Sequence, residues 1–162
     1  MTLGNTFGFT PFTRGSQNEL ILPAGKFVVN DDASLKYYRL MGVTTNATST
    51  SLLTDASNAD SKILLSSDNM TVGFEGGIIA RSSAAESTFY KFSGAIDRGT
   101  GVASVALVGS VTKTPAIEDN VSYDFDIIAD TTLGALDVKV TGIAGVTVFW
   151  MAYVGTAEVV FT

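Results

Sequence analysis

The segment "YDFDIIAD" places Asp124 and Asp126 two residues apart, with Asp130 just beyond. Carboxylates at i and i+2 share one face of a strand, where they could hold a cation or the hydroxyls of a sugar. A calcium loop needs more oxygen ligands at regular spacing, so the pair reads as the solvated face of an alternating strand. Asp31 and Asp32 in "VNDDAS" border a turn, and side-chain-to-backbone hydrogen bonding accounts for them without metal. Glu75, Glu86, Glu118 and Asp119 supply carboxyls for a glycosidase-type pair, but no sequence pattern sets their separation. The chain has no His and no Cys. That removes the Ser-His-Asp triad, the HExxH zinc site, thiol nucleophiles and disulfides. Phosphate-binding glycine loops and the GxSxG elbow are also missing. The sequons at Asn46, Asn69 and Asn120 read as chance matches in a chain rich in Asn and Thr. The expectation is a protein with no catalytic residue, no metal and no cofactor.

The elements that would position these groups are strands. Leu35, Tyr37, Arg39, Met41 and Val43 alternate with Lys36, Tyr38 and Leu40. Tyr90, Phe92 and Ile96 alternate with Phe89, Lys91 and Ser93, and Val121, Tyr123, Phe125 and Ile127 with Ser122, Asp124 and Asp126. A longer strand is expected from Met70 to Arg81, with Gly76 and Gly77 marking a bulge or a close backbone approach. "VASVALVGSVTKT" reads as one apolar strand ended near Pro115. No 12-residue window carries helical periodicity. Eight to ten short strands predict an all-β chain, an antiparallel β-sandwich or jelly-roll-like domain over residues 35–162. Residues 1–34 are expected to form an extended N-terminal arm, whose Phe7, Phe9 and Phe12 lie among Gly, Thr and Pro.

Composition narrows the partners. The 162 residues suffice for one domain with a real core. A net charge of −6 with no basic cluster disfavours nucleic acid. The first residues show neither a basic n-region nor an apolar h-region, so no secretory signal is expected. The uncharged run from Val140 to Ala157 is long enough to raise a membrane span. Its glycines, threonines and β-branched residues favour strands instead. In "LDVKVTGIAGVTVFWMAYV", residues 136–141 alternate, whereas the continuation is apolar at both parities. It reads as a hairpin turning at Gly142–Gly145: one strand half-exposed, the next covered on both faces. Phe149, Met151 and Tyr153 are therefore expected at a subunit interface.

Four stretches, "YYRLMGVTTNATSTSLLTD", "LLSSDNMTVGFEGGIIARSS", "TFYKFSGAIDRG" and "ALVGSVTKTPAIEDNVSYDFDIIADTTLGALDVKVTGIAGVTVFWMAYVGTAEV", follow in an order that matters. It resembles a β-rich domain recurrent in virion structural proteins of tailed bacteriophages, over residues 35–160. The resemblance implies a structural protein of the particle surface, made in the host cytoplasm and commonly a homotrimer. A short arm in place of a long shaft fits a capsid decoration (cement) protein. Phe7, Phe9, Phe12 and Arg14 would then contact the major capsid protein or another virion protein. The alternative is a tail-fibre module that recognises a host surface glycan. Neither reading involves nucleic acid or membrane.

Overall fold

The computed structural model describes residues 19–22 and 25–162. The strands are β1 (Glu19–Ile21), β2 (Gly25–Lys26), β3 (Asn30–Thr44), β4 (Thr50–Ser51), β5 (Ile63–Leu64), β6 (Met70–Ser82) and β7 (Ser87–Arg98). They continue with β8 (Ala106–Leu107), β9 (Thr112–Glu118), β10 (Asp124–Asp130), β11 (Ala135–Thr141) and β12 (Val148–Val160). All pairings are antiparallel, as the alternating sequence predicts. The large sheet runs β1-β3-β12-β6-β7-β8, with β2 on β3 and β9 on β7; the small sheet runs β10-β11-β4, with β5 on β11. The protein is a β-sandwich of two unequal sheets. No helix among the described residues is long and apolar enough to cross a membrane.

The core lies between the sheets and is filled by one parity of each long strand. The large sheet contributes Leu40, Val72, Ile78, Phe92, Ile96, Trp150 and Val154, the small sheet Phe125, Ile127, Leu136, Val138 and Val140, and the turn before β10 adds Tyr123, all buried. Three aromatic contacts tie the layers together, among them Phe92 against Phe125 at 5.9 Å. The Tyr90 and Phe125 rings lie 4.8 Å apart, and Tyr123 meets Trp150 edge-on at 5.8 Å. Trp150 Nε1 donates to Thr44 Oγ1 at 2.9 Å, so the indole's polar edge is satisfied inside the core.

Three expectations need correction. Residues 136–154 are not a hairpin: β11 pairs with β10, β4 and β5, whereas β12 pairs with β3 and β6. The segment through Gly142 and Gly145 is an arch from one sheet to the other, with Gly145 at φ 77°. Strand β11, expected half-exposed, is the one that its own chain covers on both faces. In β11 even Asp137 is buried, whereas β12 alternates, burying Trp150 and exposing Phe149. Finally, "VASVALVGSVTKT" divides into a 3₁₀ turn (Val102–Ser104), β8 and the start of β9. Strand β9 runs through Pro115, where the register shifts between Phe89 and Lys91; a bulged edge strand is where proline is tolerated.

Other expectations hold in part. Pairing on both sides of Gly76 and Gly77 is continuous, so there is no bulge. The glycines instead allow close approach: a Cβ on Gly76 would lie 2.3 Å from the Tyr153 carbonyl oxygen, and one on Gly77 2.8 Å from the Tyr153 ring. The sheet also begins earlier than residue 35, because β1 pairs with β3 from Glu19 onward. Asp32 explains its turn as expected: its carboxylate accepts backbone N–H groups from Phe27, Val28 and Val29. Burial alone would raise its pKa, and those hydrogen bonds outweigh it and lower it.

Candidate functional site

The two sheets differ in what they turn outward. On the small sheet the exposed positions of β10 are polar, although Leu64 of β5 is 48% exposed. Asp124 and Asp126 are exposed on β10, with Lys113 Nζ 3.3 Å from Asp126. Asp130 and the buried Asp137 share Lys62, at 2.6 and 3.0 Å. Burial opposes the charge on Lys62, yet the two carboxylates more than compensate and raise its pKa. The Lys62 hydrogen bond, foremost, holds Asp130 below the usual carboxylate range. Its contribution to stability is therefore full above about pH 4, the unfolded value, and is lost as pH falls through the lower folded value. Asp130→Asn is expected to flatten the acid limb of stability, read as the urea midpoint against pH. An unchanged limb would remove this pair from the account.

Glu86, Glu118 and Asp119 are committed to structure. Glu86 accepts the Tyr123 hydroxyl and, at 3.0 Å, the Asn120 amide, which lower its pKa in that order. Glu118 accepts the Tyr90 hydroxyl at 2.8 Å, and Asp119 accepts the Ser87 N–H at 2.8 Å. Burial first, and the facing carboxylates next, push the Tyr123 hydroxyl's pKa up, so it remains a neutral donor. Glu75 stands apart on the outer face of β6. Among the described residues no group of three or more acidic side chains could hold a metal ion.

The large sheet turns an apolar face outward. Leu53, Met41, Met151, Ile79, Phe89 and Ile117 stand directly opposite one another across the sheet. This row forms because each residue has the parity opposite to its strand's core residues. Met151 is 41% exposed, Ile79 50% and Ile117 76%. The next row adds Val43 and Phe149, then Arg81, whose guanidinium donates to Ser87 Oγ at 2.8 Å. Together they line a groove of about 1060 Å³. On its other side Arg39, Tyr153, Gly77 and Lys91 form a mixed row. Single exposed apolar residues are ordinary, whereas a contiguous apolar band across a sheet is a candidate interaction surface.

Of the residues expected at a subunit interface, Phe149, Met151 and Tyr153 all project from this face, and all are exposed in the single chain. Phe7, Phe9, Phe12 and Arg14, expected to contact a capsid, lie outside the described residues. Ile79, Phe89 and Ile117 were not singled out, although the parity of Phe89 against Tyr90 and of Ile79 against Ile78 marks them. No family model matches the chain, and neither curated proteins nor solved structures yield a match.

Proposed function

We propose that the protein is a bacteriophage virion structural protein, a capsid decoration (cement) subunit that works by contact rather than chemistry. The apolar row across the outer face of the large sheet is the observation that carries this reading. Water on that row is costly, since each large apolar side chain gains about 1.5–3 kcal/mol on full burial. A symmetric homo-oligomer would bury the same row in every copy, and a trimer is the form the phage resemblance implies. The rigid sandwich then bridges neighbouring shell proteins, with Phe7, Phe9, Phe12 and Arg14 as the shell contact. Purified protein mixed with undecorated particles is expected to co-sediment in fixed stoichiometry, and Met151→Lys to reduce this about tenfold or more. Failure of the wild type to sediment with any shell would overturn the proposal.

One observation favours the second reading, a glycan-binding tail-fibre module. The Tyr37 ring packs over Gly155 and the Tyr153 ring over Gly77, and both tyrosines are about half exposed. Exposed rings bordered by Arg39, Glu75 and Lys91 offer a sugar an apolar platform with hydrogen-bonding groups beside it. Binding on a glycan array that Tyr153→Ala abolishes would select this reading over decoration.

A further inference from the structure

We propose that two copies pack their outer faces together about a two-fold axis running across the strands, so that the bulky apolar row of each seats on a row of small residues in the other. This rests on the assembly reading above and deepens it. A two-fold contact between faces closes at two copies, in place of the trimer that the phage resemblance implies.

Size sets where the axis passes. Beyond the mixed row the face continues with Tyr37, Gly155, Glu75 and Ser93, and then with Leu35, Ala157, Gly73 and Ala95. Gly73 has the parity opposite to the buried Val72 and Phe74, and within 4 Å a Cβ there would meet only the Ala157 carbonyl oxygen, at 3.9 Å. The chain's own packing leaves room for a side chain at Gly73, unlike at Gly76 and Gly77. A two-fold axis between Tyr153 and Gly155 lays Met151, Ile79 and Phe89 on the partner's Ala157, Gly73 and Ala95, and the converse. Ridge meets hollow twice, and both apolar rows leave water. Charge sets the direction of the axis. The same arrangement brings Lys91 beside the partner's Glu75 at two equivalent places. Both groups are exposed, and among the described residues neither belongs to an ion pair within the chain. An axis along the strands would instead set Arg39 on the partner's Lys91, cation against cation. The area also suffices. Strands β3, β12, β6 and β7 are about 19 Å across, and the rows from Val43 to Ala33 span about 34 Å. That face is about 650 Å² before side-chain relief, close to the roughly 800 Å² that each partner buries in a stable pair.

Analytical ultracentrifugation of the full chain tests this. The wild type is expected to sediment as a dimer. Gly73→Leu fills the seat from the outer face and should weaken the pair at least about tenfold. Lys91→Glu and Glu75→Lys should each weaken it by about tenfold as well, because each sets like charges together twice. Mixed in equal amounts, these two variants should pair with each other at close to wild-type strength, since the mixed dimer restores both contacts. Thermal melts at a dilution where copies separate should show every variant folded as the wild type is. A wild type that stays monomeric overturns this proposal and the assembly reading together. A wild-type trimer, a Gly73→Leu variant that dimerises as the wild type does, or charge variants that do not recover on mixing overturn the two-fold seat. In those cases a monomeric Ile79→Lys still leaves the outer face as the contact. A dimer that meets all these expectations yet binds no shell removes the decoration reading alone.

Discussion

Trp150→Ala is expected to lower the unfolding free energy by about 3–5 kcal/mol, whereas Phe149→Ala, its neighbour in sequence, should change it by no more than about 0.5. The contrast follows from parity in β12. Trp150 is 2% exposed and reaches between the layers, with its ring against Tyr123 and its Nε1–H on Thr44. Its removal opens a large cavity and leaves a buried hydroxyl without its donor. Phe149 is 64% exposed on the opposite face, opposite Val43 and Arg81. Urea unfolding at a concentration where copies do not associate measures both. Equal losses for the two variants would contradict the assignment of faces on which the functional reading depends.

Lys62→Ala is expected to cost about 3 kcal/mol, by stranding two carboxylates around an ammonium that is no longer there. Asp137 is the costly partner: its side chain is 3% exposed, and among the described residues its Oδ2 accepts, apart from Lys62, only Ser51 Oγ, at 3.0 Å. Its Oδ1 is buried without a hydrogen-bond partner among the described residues. The figure sits at the low end for a broken buried ion pair because Lys62 and Asp130 keep 13% and 15% exposure. Replacing the pair together, as Lys62→Met with Asp137→Leu, should recover most of the loss, since the charge and its counter-charge leave at once. If the double variant is no more stable than Lys62→Ala, the cluster's role is geometric rather than electrostatic. Denaturant midpoints at pH 7 decide between the two.

Much of the fold was legible because alternation is a local signal. The parities of Tyr38/Leu40, Ile78/Ala80, Tyr90/Phe92 and Trp150/Ala152 each mark a strand with one core face, and all four lie buried on the inner side. Partner choice was not legible. Residues 136–154 look like a hairpin because two strands flank a glycine turn, yet their partners lie at residues 50–51, 63–64 and 124–130 for one strand and 33–44 and 70–82 for the other. Burial of Asp137 was hidden for the same reason. The lysine and serine that cover it come from a connection 75 to 86 positions earlier, and nothing near Asp137 announces them. The outer row shows the limit most clearly. Phe149, Met151 and Tyr153 stood out from one strand's pattern. Their continuation through Ile79, Phe89 and Ile117 depends on the register of several pairings, which periodicity does not specify.

The large sheet's outward face as the contact between copies is the centre of this account, and sedimentation equilibrium of the wild type beside Ile79→Lys tests it most directly. Ile79 sits mid-row between Met151 and Phe89, half-exposed and outside the core, so a lysine there leaves the fold intact while placing a charge in the contact. The account predicts a wild type of defined oligomeric mass, and an Ile79→Lys variant that is monomeric and still unfolds cooperatively, at the melting temperature of wild type diluted until its copies separate. A wild type that stays monomeric at every concentration, or an Ile79→Lys variant that assembles as the wild type does, would contradict it.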